Sequence, residues 1–386
     1  MRATIQPFRI PYPRLLLTCI IICAGALLAA FPNKGDQKNQ RFKIEPEYFL
    51  RAPDSIDAAS FAYLTGIQFD NKGNLYLSDS KQMRTLTFAE DGTFLSSIPW
   101  EKGVPDTEGK TMFIMGSSPS GLLYAIEPVV AKRMVAYNDR GAVEKTSAYD
   151  QKEFSIWEYV FVDDRTVAAS IKELTLYPQR RLKTRHSIAL ITLNDWWRVT
   201  VKEADRRDGG DFTNDFTNIV ANKAGQFFFG LASQKEYVVY MHNRKGELLR
   251  TITKGYTPVR MRGAKHDAFL NQLKGRKLVA DKMKMNPTTF SDTEPFFQAI
   301  NWLAIDSDEN LWVFTSEGEN DNMLSVDLYD PKGDFKKTFE LENKELGGQR
   351  LTHVRIRNNH LYSIIGDEKE QNQHICRYAL PKEIWQ

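Results

Sequence analysis

The chain has few cysteines and lacks the short motifs that mark common catalytic sites. Of its 386 residues only Cys19, Cys23 and Cys376 are cysteines, and the first two lie in an apolar N-terminal stretch. The rest of the chain therefore has no disulfide framework and no cysteine cluster for a metal. An HExxH pair, a GxSxG elbow, a phosphate-binding loop and a dinucleotide fingerprint are also absent. These absences predict no catalytic residue, no metal ligand and no cofactor.

The chain also lacks an excess of charge of either sign. It contains 52 basic and 49 acidic residues, and three of the basic ones, Arg2, Arg9 and Arg14, precede the apolar stretch. The remaining chain is balanced, with 49 residues of each sign. A domain whose principal partner is nucleic acid carries a basic patch or stripe. The composition therefore predicts that nucleic acid is not a partner.

The N-terminal segment has the pattern of an export signal. Residues 15–31 contain no charge, follow the three arginines and end in small residues before Pro32. This order predicts secretion with cleavage near Ala30. Two alternatives stay open: an uncleaved anchor that gives residues 15–31 a membrane partner, since their length is near the minimum for spanning, and a lipid on Cys19 or Cys23. Each places the remaining chain in the periplasm, the cell envelope or the medium.

One sequence phrase occurs twice and predicts the fold. Residues 64–95 and 302–335 each contain an alternating apolar segment, a polar turn, a second apolar segment, a third strand and a glycine turn. Period-two alternation indicates half-buried strands, and the Asn, Asp and Gly clusters indicate hairpins. Recurring four-strand units are typical of propeller blades. Six units follow, anchored on the pairs Leu75-Tyr76, Leu123-Tyr124, Val167-Ala168, Phe227-Phe228, Leu311-Trp312 and Leu361-Tyr362.

The two chain ends are predicted to close the ring together. The sixth unit lacks the length for a fourth strand after Tyr378. We expect residues 42–50 to supply that strand, because closure removes open sheet edges. The predicted organisation is a signal or anchor at 1–31, a linker at 32–41 and one propeller at 42–386.

The first and fifth units resemble the NHL-type repeat of bacterial six-bladed β-propellers (NHL/TolB-like). The matching positions in the first unit are Phe69-Asp70, Gly73-Asn74, Leu75-Tyr76-Leu77, Ser78-Asp79 and Asp91-Gly92. The resemblance covers most of residues 42–380 and implies an all-β six-bladed propeller of the cell envelope. It implies little about activity, because propellers host many unrelated functions.

The resemblance also implies a ligand site at one mouth of the central channel. The six inner strands align on Ile67, Met115, Val160, Ile219, Leu303 and Val354. Side chains near the starts of these strands are predicted to converge as a ligand site: Glu158, Asn218, Asn301, Trp302 and His353, with Trp157 as a further aromatic wall. A few polar groups on aromatic walls are what a small-molecule site requires. The competing interpretation is that inner-strand starts are polar in any propeller.

A divalent cation is the alternative hypothesis for the same place. Lactonase-like six-bladed propellers, by resemblance, hold such a cation with Glu, Asn and Asp side chains at the channel. Glu158, Asn218 and Asn301 offer oxygen ligands of that kind. No acidic residue occupies a fourth aligned position, so the primary prediction remains that no cofactor is bound.

Residues 256–299 form the longest interruption between units and are predicted to contain a helical insertion. Residues 256–284 carry eight basic and two acidic side chains. They form either a basic arm for anionic head groups or envelope polymers, or a solvated helix packed across the ring. A smaller expectation concerns His242, which lies in a turn-rich segment and is predicted to be exposed.

These observations together predict an exported propeller that binds a small molecule or a protein of unknown specificity, as a non-catalytic scaffold or binding module. The alternative is a divalent-cation-dependent, lactonase-like hydrolase or lyase with its site in the central channel. Convergence of Glu158, Asn218 and Asn301 on one point would favour the alternative.

Overall fold

The computed structural model consists of six small sheets arranged as the blades of a ring. The inner strands of successive blades contact each other in cyclic order, and the sixth blade contacts the first. The predicted all-β, six-bladed propeller is therefore confirmed. The structure describes residues 40–50, 64–79, 82–99, 114–127, 133–138, 142–148, 154–176, 182–204, 207–208, 215–263, 266–267, 270–271, 274, 296–317, 323–342, 352–365 and 374–386.

Within each blade the strands run outward from the channel in chain order. Two short strands precede the first blade: β1 (Gln40–Lys43) and β2 (Pro46–Phe49). The first blade contains β3 (Leu64–Phe69), β4 (Leu75–Asp79), β5 (Arg84–Phe88) and β6 (Phe94–Pro99). The second contains β7 (Ile114–Ser117), β8 (Leu123–Glu127), β9 (Arg133–Tyr137) and β10 (Val143–Ala148). The third contains β11 (Phe154–Phe161), β12 (Thr166–Leu176), β13 (Leu182–Thr192), β14 (Trp197–Glu203) and β15 (Arg207–Asp208), which pairs with β13.

The remaining blades follow the same order. The fourth contains β16 (Phe216–Ala221), β17 (Phe227–Leu231), β18 (Tyr237–His242) and β19 (Leu248–Lys254). The fifth contains β20 (Ile300–Ile305), β21 (Leu311–Thr315), β22 (Met323–Tyr329) and β23 (Phe335–Glu342). The sixth contains β24 (Thr352–Arg357), β25 (His360–Ile365) and β26 (His374–Ala379), followed by a 3-10 turn at Lys382–Ile384. Each of the six apolar pairs that anchored the sequence units lies on the second strand of a blade, as the repeat predicted.

The N-terminal strands join the ring at two blades. Strand β2 pairs antiparallel with β26 and supplies the fourth strand of the sixth blade, as expected. Strand β1, however, pairs parallel with β23 and adds a fifth strand to the fifth blade, which the sequence did not predict. Phe42 and Ile44 are buried in the apolar cluster between these two blades. The first half of the segment therefore has its own packing partners, and residues 40–49 cross the junction between the fifth and sixth blades.

The core is divided among the blade junctions. The described residues form six apolar clusters, and each cluster combines side chains of two successive blades. The junction of the first and sixth blades has its own cluster, with Phe88 on one side and Ile364 on the other. Because each blade packs only on its neighbours, the ring is held by many similar interfaces.

A buried aspartate explains the repeated phrase. At the turn after the inner strand of the fifth blade, Asp306 accepts hydrogen bonds from the main-chain N–H groups of Asp308 and Asn310, both at 2.9 Å. The same carboxylate accepts from the indole Nε1–H of Trp312 at 2.8 Å. In the first blade Asp70 accepts from the main chain of Asn74 and from a tyrosine hydroxyl in the same way. The repeat therefore fixes a turn and ties it to an aromatic residue of the second strand.

The two faces of the ring carry different connections. Short turns join first to second and third to fourth strands on one face. Since strands alternate in direction, the other connections lie on the opposite face. On this opposite face lie the strand ends that the longest connections join, which are residues 100–113, 255–299 and 343–351. This face, called the long-connection face below, is also where every inner strand begins.

Some expectations concern residues outside those that the structure describes, and one is wrong. Residues 1–39 and most of 264–295 lie outside the described part. Within the described part no helix is long and apolar enough to cross a membrane. His242 is buried rather than exposed, with only 4% of its surface accessible. Its ring stacks on Phe227 at 5.3 Å and its Nδ1–H donates to the Gly246 carbonyl, so aromatic packing outweighs the turn signal.

Candidate functional site

Inner strands are irregular at the channel mouth on the long-connection face. Five of the six lose their pairing register near their first residues, between Leu64 and Gly66, Ile156 and Glu158, Phe216 and Ile219, Ile300 and Trp302, and Thr352 and Arg355. Such bulges re-aim side chains and are common next to functional sites. The predicted site residues lie at or beside these irregularities: Glu158, Asn218, Asn301, Trp302 and His353.

Glu158 and Arg355 are opposed across the ring. Glu158 lies on the third blade and Arg355 on the sixth, and these blades are diametrically opposite in a six-membered ring. Their charges interact, but among the described residues no ion pair within 4.0 Å joins them. Burial raises the pKa of the Glu158 carboxyl from 4.5 to about 7, while the Arg355 charge and the Ile219 N–H oppose this shift. Near neutral pH Glu158 therefore exchanges between its acid and its carboxylate.

His353 has an unusual backbone for a strand residue. Its φ is 56°, whereas the other non-glycine residues of the described part with positive φ lie in turns. A left-handed residue inside a strand costs about 1–3 kcal/mol and persists only where its surroundings enforce it. Its ring meets Trp302 edge to face at 5.7 Å. Burial lowers the pKa of His353 from 6.5 to about 4, and the charge of Arg355 acts in the same direction, so the imidazole is neutral at pH 7.

Asn218 and Trp302 connect inner strands of neighbouring blades. The Asn218 amide accepts from the Leu303 N–H at 2.7 Å and donates to the Leu303 carbonyl at 2.8 Å, which joins the fourth blade to the fifth. The Trp302 indole donates to the Val354 carbonyl at 3.2 Å, which joins the fifth blade to the sixth. Both predicted ligand residues therefore hold the mouth in shape.

The cation hypothesis receives little support from this arrangement. Both polar atoms of Asn218 bind the main chain, and the Asn301 Oδ1 accepts from the Ser316 hydroxyl at 3.1 Å. No group of three His, Cys, Asp or Glu side chains within the described part is arranged to hold a metal. Glu158 is then the single acidic candidate, and one carboxylate is a poor site for a hard cation.

A second polar cluster beside Glu158 has the composition of a hydrolase triad but not its hydrogen bonding. His186 Nε2 lies 2.7 Å from the Ser170 hydroxyl, and Asp215 is at the other ring nitrogen. In a catalytic triad Nδ1 donates to the carboxylate and Nε2 accepts from serine. Here the Asp215 main-chain N–H donates to Nδ1 at 3.0 Å, which places the imidazole proton on Nε2. His186 therefore donates to Ser170, and the cluster joins the third and fourth blades.

The solved structures that resemble this chain are distant from it in sequence. Neither a protein-family model nor a curated protein matches the sequence. Similar solved structures include virginiamycin B lyase from Staphylococcus aureus, 10% identical over 88% of this chain and 99% of that one, with a TM-score of 0.47. A member of the DUF4221 family from Bacteroides vulgatus is 10% identical over 87% and 97%, with a TM-score of 0.49.

A third similar structure is the calcium-binding protein regucalcin from Agrobacterium tumefaciens, 9% identical over 88% of this chain and 95% of that one, with a TM-score of 0.44. The three likenesses are too distant to carry an argument about function. The propeller is established by the sheets of this chain, and any activity has to be argued from its own channel.

Arg355 is the site residue that the sequence analysis missed. A charged residue that alternates with the buried Val354 and Ile356 is ordinary for a half-buried strand, so the pattern gave no signal of its place at the channel. The bulge between Thr352 and Arg355 decides the direction of its long side chain.

Proposed function

We propose that this protein is an exported binding module that holds a small molecule, or a segment of a protein, at the channel mouth on the long-connection face. The observation that carries the proposal is the coincidence of the five inner-strand irregularities with this face. It supports a binding role because strained and bulged backbone is kept where it positions functional groups. Loops on a rigid scaffold commonly carry the rest of such a site.

Export through the N-terminal segment belongs to the same proposal. The basic, apolar and small-residue order of residues 1–31 supports it. Expression of the full chain in a bacterial host, followed by fractionation and N-terminal sequencing, distinguishes the alternatives. A soluble product that starts near residue 31 supports a cleaved signal, and a full-length product in the membrane fraction supports an anchor at residues 15–31. Retention in the cytoplasm would remove the proposal of export.

A crystallographic fragment screen tests the binding site itself. Crystals of residues 32–386 would be soaked with a library of small polar and aromatic compounds. We expect bound fragments to cluster between Glu158, Trp302 and His353. If the fragments bind elsewhere on the ring and none enters the channel, the proposed site is wrong.

A cation-dependent hydrolase or lyase is the second candidate, and one observation favours it. A carboxyl group with a pKa near 7, as in Glu158, is suited to general acid–base catalysis. The amide of Asn218 is bound to the Leu303 main chain and does not fit the ligand set that this candidate requires. Soaks with manganese test the point: anomalous density beside Glu158 would support this candidate, and its absence at saturating metal would count against it.

A further inference from the structure

We infer that Arg355 forms an oxyanion site inside the channel and binds the carboxylate or phosphate group of the ligand. The inference rests on the proposed binding function and specifies the chemistry of that same site. Its basis is the position of the guanidinium, its few hydrogen bonds and its distance from the opposing carboxylate.

The position of Arg355 is unusual for a basic residue. It lies on β24, the innermost strand of the sixth blade, directly after the bulge that contains His353. Its neighbours along the strand, Val354 and Ile356, are 0% and 6% exposed and pack between the fifth and sixth blades. The side chain of Arg355 is partly accessible, and its charge interacts with Glu158 of the opposite blade, which indicates that the guanidinium lies at the channel.

The guanidinium has few protein partners. It offers five N–H donors, and within the described part its recorded hydrogen bond is from one terminal nitrogen to the Val354 carbonyl at 3.0 Å. Other partly buried arginines have acceptors on a neighbouring strand or blade: Arg198 reaches Glu173, and Arg357 reaches the Asp70 carbonyl at 2.9 Å. Arg355 thus retains donors in the planar arrangement that suits a carboxylate or a phosphate.

The surrounding charges leave the guanidinium incompletely compensated. Glu158 opposes it without forming an ion pair within 4.0 Å. His353 is neutral at pH 7 and adds no second positive charge. A buried cation is costly unless an anion compensates it. An oxyanion bound between Arg355 and Glu158 would supply that compensation, with Trp302 and His353 as the aromatic wall beside it.

The same geometry predicts how affinity depends on pH. The groups that act on Glu158 are the Ile219 N–H from the fourth blade and the charge of Arg355 from the sixth, and the neutral His353 lies two residues before Arg355. Ser170 is its cross-strand neighbour on its own blade. When Glu158 is protonated it repels no anion and donates one hydrogen bond. We therefore expect oxyanions to bind more tightly at about pH 6 than at about pH 8, because Glu158 ionises between these values.

Calorimetry with defined probes tests the inference on residues 32–386. The probes are succinate, inorganic phosphate, the neutral diamide succinamide and the dication putrescine. We expect succinate or phosphate to bind, and Arg355→Gln to weaken that binding at least about 10-fold, since a charge-assisted pair is lost. Arg355→Lys keeps the charge without the planar donors, and its affinity should lie between those of the unaltered protein and Arg355→Gln. Arg250→Gln, which removes a surface arginine paired with Asp334, is the matched control and should leave affinity unchanged.

The outcomes separate this inference from the proposed function. The inference would be overturned if Arg355→Gln and Arg355→Lys both bind the anion as strongly as the unaltered protein. It would also be overturned if succinamide or putrescine binds in the channel and neither anion does. In both cases the binding function would stand. If no probe binds and no fragment enters the channel, both fail. If Arg355→Gln does not fold, the Arg355→Lys variant decides, because it retains the positive charge.

Discussion

At the residue scale, the buried aspartate of each repeated turn links the sequence phrase to stability. Asp306 is 4% exposed and accepts from two main-chain N–H groups, from the Asn310 amide and from the Trp312 indole. Asp330 makes a similar turn at the outer hairpin, where its carboxylate accepts from the Lys332 and Asp334 N–H groups. The difference between the two is the buried aromatic partner.

Replacement of these two aspartates separates turn formation from the buried contact. Asp306→Ala leaves a buried indole N–H and a buried amide without their acceptor, which should lower the free energy of unfolding by about 2–4 kcal/mol. Asp330→Ala loses only turn hydrogen bonds near solvent and should cost about 1 kcal/mol or less. Urea unfolding measures both values. Equal losses of unfolding free energy would show that the buried hydrogen bond from the Trp312 indole contributes nothing.

The channel residues Glu158 and His353 should oppose each other in the pH dependence of stability. The folded pKa of Glu158, about 7, is above its ordinary 4.5, so its stabilising contribution is present at low pH and lost as the pH rises to 7. The folded pKa of His353, about 4, is below its ordinary 6.5, so its contribution is present above pH 6.5 and lost as the pH falls to 4.

Two variants reveal the separate slopes. In Glu158→Gln, stability should rise with pH between about 4 and 6.5 relative to the unaltered protein, because the opposing titration of Glu158 is removed and that of His353 remains. His353→Asn introduces a residue that tolerates the left-handed backbone. In this variant stability should fall as the pH rises from about 4.5 to 7. Changes of about 1–2 kcal/mol are expected, since partial solvent access reduces the effect. Thermal melts across this range that are parallel in all three proteins would contradict the assignment.

At the element scale, strand β1 is the unexpected part of the ring. It is parallel to its partner, and the Ile44 N–H just after it donates to the Glu342 carbonyl at 2.9 Å. Phe42 meets Phe339 edge to face at 5.8 Å, and Ile44 is 2% exposed. The exposed Lys43 between them contacts Glu45. The alternation of buried and exposed residues shows that β1 is anchored by its inward side chains.

Point variants of β1 test that anchoring. Phe42→Ala and Ile44→Ala should each lower the free energy of unfolding by about 2–4 kcal/mol, because buried apolar volume is lost. Lys43→Ala removes an exposed ion pair and should leave the free energy of unfolding almost unchanged. Chemical unfolding followed by tryptophan fluorescence is the measurement. If Phe42→Ala is as mild as Lys43→Ala, β1 contributes no packing to the fifth blade.

At the scale of the whole molecule, the ring depends on pairing between the chain ends. Strand β2 completes the sixth blade through its ladder with β26, while β1 extends the fifth. Each junction between blades has an apolar cluster of its own. Loss of the terminal strands therefore exposes strand edges in two adjacent blades and opens two adjoining clusters.

Truncation tests whether the ring unfolds as a unit. A chain that starts at residue 51 lacks β1 and β2, and its main transition should shift to lower temperature as a whole, because six similar interfaces share one closed ring. A chain that starts at residue 40 is the control and should melt like residues 32–386. Near-UV and far-UV circular dichroism should report the same midpoint. A separate early transition of one blade would indicate that closure is local.

The sequence by itself determined the number of blades and the positions of their strands. Alternation of period two and Asp/Gly turn chemistry act between residues close in the chain, so the anchor pairs could be located without a structure. The same local signals placed Glu158 and His353 on inner strands, although Glu158 lies in the middle of its strand and not at its start. They also found the closing strand, since a sixth unit that is one strand short must borrow one from the other end of the chain.

Only the tertiary structure decided what those residues contact. Asn218 binds the main chain of Leu303, 85 residues away, and Arg355 opposes Glu158 from the other side of the ring. The burial of His242 likewise depends on a stack with Phe227 that a turn pattern does not encode. These contacts join residues distant in sequence, and their geometry depends on bulges that shift the register by one residue. Local periodicity carries no information about such distances, which is why it predicted the ring but not the chemistry of its channel.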